Sequence, residues 1–393
     1  MRLLIAYKQF PAPNVGHAGG QSVWRLLKRL RERGHHLTLA ARITEAERRR
    51  YPQAQLALER LCEGRLYLAP HHRDLDGSRP AALMRSYLAL RRTITCAWKE
   101  NDSDLLHIEF AQTGVAALGL PALSFRAHDV NWFLFQQQRE HRSGAARTKA
   151  AFFHRLFRLL EPPFYRRYPV LTAISEGDRR LLAAATGRDD LITLPLEPAF
   201  PPEARLGEPA VPRGANLLFV GAMNRPFNIE GVAWFLRHVW PRVRRAEPKA
   251  RFYIVGAHPT ERVRAWDGRE GVIVTGFVDD LAAWYRAADL FVSPLLVAGG
   301  LLQKVLDAMA MGVPVVATPQ SNHGVGAPPQ AITLAAEPEP FAEAILRLLH
   351  DRHAARRQAE AATAFVAAHY DLDRALDAWE EAVARVQQSP QSR

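Results

Sequence analysis

The sequence has few cysteines and no long apolar segment. Its 393 residues include two cysteines, Cys62 and Cys96, which share no metal-binding or redox spacing. So few cysteines favour a reducing, cytoplasmic compartment. Nowhere do about 18 uncharged apolar residues follow one another, so we predict no membrane-spanning helix. The first residues, MRLLIAYKQF, contain too short an apolar stretch for a secretory signal, and we expect a β-strand there.

Several common nucleotide and metal motifs are also missing. No G-x-G-x-x-G follows a strand, which argues against a nicotinamide or flavin dehydrogenase, and no G-x-x-x-x-G-K-[ST] indicates a P-loop enzyme. H-E-x-x-H is absent too, and we predict neither a metal site nor a cofactor. Asp102 and Asp104 form a D-x-D pair, which binds a cation and a diphosphate in a different class of sugar transferases. Because the pair precedes a predicted strand instead of following one, we favour a turn.

Positive charge is concentrated in the first half of the chain. The composition, 48% hydrophobic and 23% charged, is that of a globular protein, and the length predicts two domains. Residues 1–196 carry 31 Lys and Arg against 18 Asp and Glu, whereas residues 197–393 carry 21 against 22. A basic half predicts an anionic partner or surface. No nucleic-acid-binding motif accompanies the charge, so we do not expect nucleic acid as the partner.

The densest basic stretch is RTKAAFFHRLFRLLEPPFYRRYP, residues 147–169. It has six basic residues, a single acid, Glu161, and six aromatic rings. One interpretation is a helix in an anionic membrane interface, which would attach a cytoplasmic protein to the inner face of the cell membrane. The other is an amphipathic helix packed on the core with a solvated basic rim.

Short apolar runs alternate with helix-period segments, once in each half of the chain. The runs are 3–7, 36–40, 65–69, 105–110, 123–128 and 170–175 in the first half, and 215–221, 250–256, 272–277, 290–295, 313–318 and 331–335 in the second. Residues 194–214 lie between the halves and contain six prolines, as expected of a hinge. The pattern predicts an α/β protein of two Rossmann-like domains whose mostly parallel sheets face a cleft.

Two groups of residues in the first half are candidates for ligand binding. A glycine-rich loop with Gly16, Gly19 and Gly20 follows the first strand and starts a helix, where free amides and the helix dipole suit a diphosphate. The alternative is a plain turn before a helix. His128 directly follows a strand and should face the crevice, where it can bond a sugar hydroxyl or an anion. The alternative is a structural histidine with its hydrogen bonds satisfied.

A third candidate lies in the stretch SPLLVAGGLLQKVLDAMAMG of the second half. Gly299 and Gly300 form a loop after a strand, and Lys304 and Asp307 then lie three residues apart at the start of an embedded helix. The ammonium group can neutralise a diphosphate, and the carboxylate can accept both ribose hydroxyls. The alternative is an intrahelical ion pair worth a few tenths of a kcal/mol.

The chain resembles a known family in a series of motifs that covers nearly its whole length. In order these are GGQSVWRLLKRLRERGHHLTLA, SFRAHDVN, LTAISEGDRRLL, LLFVGAMNRPFNIEGVAWFL, ARFYIVG, VTGFVDDLAAWYRAADLFVSPL and QKVLDAMAMGVPVVAT. They look like the retaining glycosyltransferases of the glycosyl transferases group 1 type, family 4. The resemblance implies a GT-B fold: an acceptor domain at 1–196, a hinge at 197–214, a donor domain at 215–370, and a helical segment at 371–393 that returns to the first domain.

The resemblance also implies roles for individual residues. Gly19 and Gly20 would offer amides to the donor phosphates, His128 would lie beside the transferred sugar, Lys304 would contact the diphosphate, and Asp307 would bind the ribose. The implied reaction is sugar transfer with retention by front-side attack, in which a nucleotide diphosphate sugar is the donor, a saccharide or lipid-linked hydroxyl is the acceptor, and no metal is required.

The sequence departs from the family pattern at the donor site. The family commonly shows E-x7-E across this loop and helix, but Gly299 stands at the first acidic position and Asp307 at the second. The usual basic residues after the first strand of the second domain are missing from GAMNRPFN, where Arg225 is a candidate substitute. A sugar-nucleotide epimerase or hydrolase of the same fold remains an alternative, as does a non-catalytic basic binding protein.

Overall fold

The computed structural model describes residues 1–13, 15, 18–70 and 80–388, with side chains from residue 84 onward in the last range. Gly16 of the predicted glycine-rich loop therefore lies outside the described residues, as does the end of the predicted C-terminal segment after residue 388. Within the described part, no helix is long and apolar enough to cross a membrane.

The first domain contains a seven-stranded parallel sheet in the order β3-β2-β1-β4-β5-β6-β7. Its strands are β1 Arg2–Tyr7, β2 His36–Ile43, β3 Leu66–Pro70, β4 Leu105–Glu109, β5 Ala122–Ala127, β6 Val170–Ala173 and β7 Ile192–Thr193. Its helices are α1 Ala18–Glu32, α2 Glu45–Arg50, α3 Pro52–Leu61, α4 Pro80–Glu100, α5 Ala111–Ala116, α6 Asn131–His141, α7 Gly144–Tyr165 and α8 Glu176–Thr186. The two-residue strand β7 was not among the runs predicted from the sequence.

The second domain contains a six-stranded parallel sheet in the order β10-β9-β8-β11-β12-β13. Its strands are β8 Asn216–Val220, β9 Arg251–Val255, β10 Val272–Gly276, β11 Leu290–Ser293, β12 Val315–Ala317 and β13 Thr333–Leu334. Its helices are α9 Pro226–His238, α10 Trp240–Ala246, α11 Glu261–Arg264, α12 Leu281–Ala287, α13 Gln303–Ala310, α14 Pro319–Asn322, α15 Pro338–His350 and α16 Arg352–His369. A 3-10 helix, Pro202–Arg205, lies in the proline-rich connection, and α17 Leu372–Gln388 ends the described chain.

The strand sequences explain why both sheets are covered on two faces. In β1, Leu3 and Ile5 join one buried cluster, whereas Leu4 and Ala6 join another on the opposite face. Because side chains alternate between faces, a strand that is apolar at every position must be buried on both. The two parallel sheets with helices on each face confirm the predicted fold class.

The last helix returns to the first domain and completes its core. Leu376, Trp379 and Val383 of α17 are buried in one cluster with residues of β1 and β2. The Trp379 indole nitrogen donates to Ser124 Oγ at 2.8 Å, and Arg33 forms ion pairs with acids of α17. This helix crosses back as the fold prediction requires.

The strand order fixes where ligands can bind. In both sheets the order reverses between the two central strands, β1 and β4 in the first domain and β8 and β11 in the second. The crevice beyond the carboxyl ends of such strands is the usual ligand site of open α/β sheets. The segments that follow β1, β8 and β11 include Gly19, Gly20, Arg225, Gly299, Gly300, Lys304 and Asp307. His128 follows β5, the neighbour of β4.

Candidate active site

The loop after β11 contacts the first domain. Gln137 of α6 donates from Nε2 to the carbonyl oxygen of Ala298 at 2.8 Å and accepts from the Ala298 amide at 3.0 Å. Gly300 follows with φ of +59°, and a Cβ there would collide with the carbonyl oxygen of His128. Only glycine fits this conformation and this approach. The loop with Gly299 and Gly300 is therefore a contact between the domains, next to His128.

The glycines after β1 have a packing reason of their own. Gly19 and Gly20 lie in the first turn of α1, and a Cβ on Gly19 would stand 2.8 Å from the ring of Phe110 and 3.3 Å from the hydroxyl of Tyr7. Gly20 is buried. The close approach of the Phe110 ring is sufficient to explain the glycine at position 19 without a ligand. The start of α1 nevertheless lies near the cleft.

Lys304 lies in the first turn of α13, against the end of β8. Its Nζ donates to Asn228 Oδ1 at 2.7 Å and lies 4.2 Å from the centre of the Phe219 ring. Among the described residues it has no carboxylate partner, and loss of water contact lowers its pKa to about 7. An ammonium group in this position would gain a counter-charge from a bound diphosphate.

Asp307 has a different environment from Lys304. Its Oδ1 accepts hydrogen bonds from the amide of Ala199 at 2.7 Å and from Gln303 Nε2 at 2.8 Å, and burial raises its pKa to about 6. Lys304 and Asp307 therefore have different neighbours, the end of β8 for the ammonium group and the connection between the domains for the carboxylate. The carboxylate is buried beneath the connection between the domains, because that connection needs an acceptor for the Ala199 amide. The two side chains do not form an intrahelical pair either.

His128 belongs to a buried polar cluster that the sequence did not reveal. Its Nε2 bonds Glu109 Oε2, and its ring stacks on Phe110 with centroids 3.5 Å apart. His107 Nε2 bonds Glu109 Oε1 at 3.0 Å, and Arg126 approaches the same oxygen at 3.4 Å. His128 can therefore reach a sugar through Nδ1 or its backbone carbonyl but not through Nε2.

The charges in this cluster are set by its burial. Burial alone would raise the pKa of Glu109, but Arg126, His128 and His107 together hold it well below its usual range. Burial lowers the pKa of His128 to about 4, against the opposing effect of Glu109. At neutral pH the cluster thus contains an anionic Glu109, a cationic Arg126 and a neutral His128 with its proton on Nε2. The only signal in the sequence was a Glu, an Arg and two His within two otherwise apolar strands.

Two further charged residues of the cleft lie just beyond strand ends. Lys8 follows β1; its Nζ lies 4.2 Å from the centre of the Phe110 ring and donates to Gln112 Oε1 at 3.1 Å. Burial lowers the pKa of Lys8 to about 8, and the charge of Arg225 in the second domain acts in the same direction. Asp129 opposes this shift. Arg225 is exposed at the start of α9, on the side of the second domain that faces Lys8.

The D-x-D pair lies away from this cleft. Asp104 accepts hydrogen bonds from the amide and side chain of Arg2 at 2.8 and 2.9 Å, and Asp102 is almost fully exposed. Both residues precede β4, at the opposite end from its carboxyl edge. Among the described residues, no cluster of three or more His, Cys, Asp or Glu could hold a metal ion.

Two sequence families match the chain, one in each domain. "Glycosyl transferase 4-like domain" matches residues 18–196, and "Glycosyl transferases group 1" matches residues 214–351. Together they cover most of the chain. The protein belongs to the GT-B glycosyltransferases. This family agrees with the resemblance of its motifs.

Solved structures of the same fold cover nearly the whole glycosyltransferase. Sucrose-phosphate synthase from Thermosynechococcus elongatus is 17% identical with a TM-score of 0.69, and the match covers 99% of this chain and 98% of that one. Anabaena HepE in complex with UDP and glucose is 13% identical with a TM-score of 0.64, covering 99% and 100%. A putative UDP-N-acetylglucosamine 2-epimerase from Listeria monocytogenes is 12% identical with a TM-score of 0.59, covering 96% and 94%.

One curated relative is similar in sequence over a shorter region. An uncharacterized 44.6 kDa protein in the cps region of Klebsiella pneumoniae is 31% identical over 119 residues. The match covers 28% of the glycosyltransferase and 31% of that relative, so the chain matches about a third of the relative's length.

Proposed function

We propose that the enzyme moves a sugar from a nucleotide diphosphate sugar to a hydroxyl group of a saccharide or lipid-linked acceptor, with retention of the anomeric configuration. The observation that carries the proposal is Lys304, a desolvated ammonium group at the ligand-binding edge of the second sheet that has no carboxylate partner among the described residues. A diphosphate is the counter-charge that suits it. A structure of the same fold, HepE, is described with UDP and glucose.

The other donor contacts follow from the positions around Lys304. Arg225 would add a second cation to the diphosphate from the start of α9. The ribose would be bound by Oδ2 of Asp307, since Oδ1 already accepts two hydrogen bonds. Backbone amides that we assign to the donor belong to Gly19, Gly20, Gly299 and Gly300.

The proposed chemistry places the acceptor on the same face of the sugar as the leaving group. The bond from the anomeric carbon to the diphosphate oxygen breaks as the acceptor oxygen bonds to that carbon, and the acceptor proton passes to the departing diphosphate. Lys304 stabilises the negative charge that develops on the leaving group. His128 helps to hold the sugar in position. This scheme draws its charge stabilisation from the protein and requires no metal ion.

A ligand panel tests the proposal. We would add UDP, GDP, ADP and dTDP, each alone and as a sugar nucleotide, and follow thermal unfolding. A ligand at about 100 times its dissociation constant adds about 2.7 kcal/mol to the free energy of unfolding. We expect one base to stabilise the protein, and the donor to be consumed only when an acceptor is present. No stabilisation by any ligand would contradict the proposal, whereas donor turnover without acceptor would favour the epimerase or hydrolase alternative.

The basic helix α7 supports a membrane-bound acceptor. One of its faces packs on α6, where Phe153 and Phe157 stack on Phe135 with centroids 5.1 and 5.5 Å apart. The other face exposes Phe152 and Leu159, whose side chains are 62% and 72% exposed. Exposed apolar residues beside basic ones suit an anionic membrane interface. We therefore propose that α7 attaches the first domain to the inner face of the cell membrane.

Charge reversal on α7 and at Arg167, two residues beyond its end, should abolish this attachment. Arg166 donates to the Thr186 carbonyl and Arg158 lies over the Trp132 ring, so the test uses Lys149→Glu, Arg155→Glu and Arg167→Glu together. Each basic residue contributes about 1 kcal/mol at an anionic surface, so binding should fall by about 100-fold or more. Co-sedimentation with phosphatidylglycerol and phosphatidylcholine vesicles, at low and high salt, measures it.

The control reverses three exposed basic residues of the second domain: Lys249, Arg262 and Arg269. This variant should bind vesicles as the wild type does. A wild type that does not distinguish anionic from neutral vesicles, or an α7 variant that sediments as the wild type does, would mean that the acceptor is a soluble molecule.

A further inference from the structure

The carboxylate of Asp129 occupies the space beside the glycine loop of the second domain. Asp129 follows β5 and His128, and its Oδ1 lies 3.5 Å from where a Cβ of Gly299 would stand and 3.1 Å from where a Cβ of Gly300 would stand. Asp129 therefore reaches across from the first domain to the loop. The carboxylate of Asp129 thus lies beside the space that side chains at positions 299 and 300 would occupy.

No residue in the described part of the chain donates a hydrogen bond to this carboxylate. Among the residues that the structure describes, only the backbone oxygen of Asp129 accepts a hydrogen bond, from the Tyr165 hydroxyl at 3.5 Å. Burial raises the pKa of the carboxyl group to about 6, and the charge of Lys8 only partly opposes this rise. A partly buried carboxylate without donors is costly unless a ligand supplies them. Because Asp129 of the first domain lies beside Gly299 and Gly300 of the second, such a ligand would lie between the two domains.

The two glycines of the loop differ in what they could accommodate. Gly300 has φ of +59° and is pressed against the His128 carbonyl, so it cannot take a side chain. Gly299 does not have a positive φ, and the nearest atom to its Cβ position is the flexible end of Leu134 at 3.2 Å. An acid at position 299 would place its carboxylate beside that of Asp129. Two carboxylates in such proximity would repel each other, so an acid at position 299 is disfavoured while position 129 is acidic.

We propose that Asp129 binds the hydroxyl groups of the transferred sugar from the first domain, in the place of an acid on the second-domain loop. The inference rests on the proposed function. Sugar hydroxyls are the donors that the carboxylate lacks, and hydrogen bonds to an ionised group are stronger than those between neutral groups. The nucleotide would then be bound by the second domain and the sugar by both domains. Sugar recognition would require the Gly299 loop and Asp129 to be in contact.

The first test compares each nucleotide diphosphate of the panel with its sugar nucleotide, by titration calorimetry. Asp129→Asn and Asp129→Ala should bind the nucleotide diphosphate within about 2-fold of the wild type. The sugar nucleotide should bind about 10-fold more weakly or worse, because a lost hydrogen bond to a charged group costs about 1.5–3 kcal/mol. Asp102→Asn, an exposed acid outside the cleft, serves as the control and should change neither affinity.

The second test moves the carboxylate to the other domain. Gly299→Asp in the Asp129→Ala background should restore much of the lost affinity for the sugar nucleotide, because the oxygen atoms return to the same region. Equal weakening of both ligands by Asp129→Ala would indicate a structural role and overturn the inference, as would unchanged affinities or a failure of the double variant to recover. If no ligand pair binds the wild type, the proposed function itself fails.

Discussion

Lys304→Met is expected to weaken binding of the nucleotide diphosphate by about 10- to 100-fold while the protein stays folded. The loss corresponds to about 1.5–3 kcal/mol for a hydrogen-bonded ion pair to the diphosphate. Methionine keeps the length of the side chain over the Phe219 ring and removes a charge that, without ligand, has no carboxylate partner among the described residues. Titration calorimetry with the base identified by the panel measures the effect.

The same lysine should couple ligand binding to proton uptake. In the free protein the pKa of Lys304 is about 7, below its ordinary 10.5, and a bound diphosphate would raise it again. At pH 8 the wild type should therefore take up close to one proton on binding, and Lys304→Met should take up none at this position. Calorimetry in buffers with different ionisation enthalpies counts the protons.

The pH dependence of stability provides an independent check on Lys304. Between pH 7 and 10.5 the unfolded chain holds the proton that the folded chain has lost, so the free energy of unfolding rises with pH in this window. Lys304→Met should remove that rise. The control is Lys249→Met, an exposed lysine at the opposite end of the same sheet. Unchanged diphosphate affinity in Lys304→Met would contradict the proposed role.

Glu109→Ala is expected to destabilise the first domain by about 3–5 kcal/mol. The substitution leaves the guanidinium of Arg126, which is 1% exposed, without its anion, and an uncompensated buried charge is among the most damaging single changes. Arg126 also donates to the carbonyl oxygens of Leu194 and Pro195 at 2.9 and 2.6 Å, where the chain enters the connection between the domains. Differential scanning calorimetry should show a lower unfolding temperature for the first domain.

A double variant separates the cost of the unpaired buried charge from the other stability losses caused by removing the Glu109 side chain. Glu109→Leu with Arg126→Leu should recover part of the stability lost in Glu109→Leu alone, because neither charge then remains buried. Asp104→Ala, which breaks a largely exposed pair with Arg2, should cost no more than about 1 kcal/mol. A Glu109→Ala loss as small as that of Asp104→Ala would refute the account of the cluster.

Acid should weaken the wild-type cluster in two steps. The pKa of His128 is about 4 in the folded protein against an ordinary 6.5, so stability falls as the pH drops from 6.5 to 4. The pKa of Glu109 lies below its ordinary 4.5, so its contribution is present above that pH and lost below it. Both groups therefore favour the folded state at neutral pH.

The fold was predictable because its signals are local. Twelve apolar runs predicted strands, and each overlaps a strand of the structure, since a strand buried on both faces must be apolar at nearly every position. The strand that the sequence did not predict was Ile192–Thr193, a two-residue strand directly before the proline-rich connection. The return of the last helix came from the family resemblance, because nothing in its own sequence specifies which domain its apolar face covers.

The site was only partly predictable because its environment comes from distant parts of the chain. Lys304 and Asp307 are neighbours in sequence, but Asn228 contacts one and Ala199 the other. No periodicity predicts those partners. Likewise, Glu109 lies in an apolar run and Asp129 in the motif SFRAHDVN, but only the pairing of β4 with β5 and the approach of the second-domain loop show what surrounds them. The roles of the predicted residues in binding and transfer stay predictions.

The return of α17 determines when the first domain can finish folding during synthesis. Leu37 of β2 and Leu376 of α17 belong to one cluster, although about 340 residues separate them. At about 5–20 residues per second, a ribosome needs roughly 20 to 70 seconds to make the intervening chain. Until then the apolar groove that receives Trp379 is open on the nascent protein. A chaperone that covers exposed apolar surface would have its longest opportunity there, because α17 closes the first domain only about 340 residues after β2 is made.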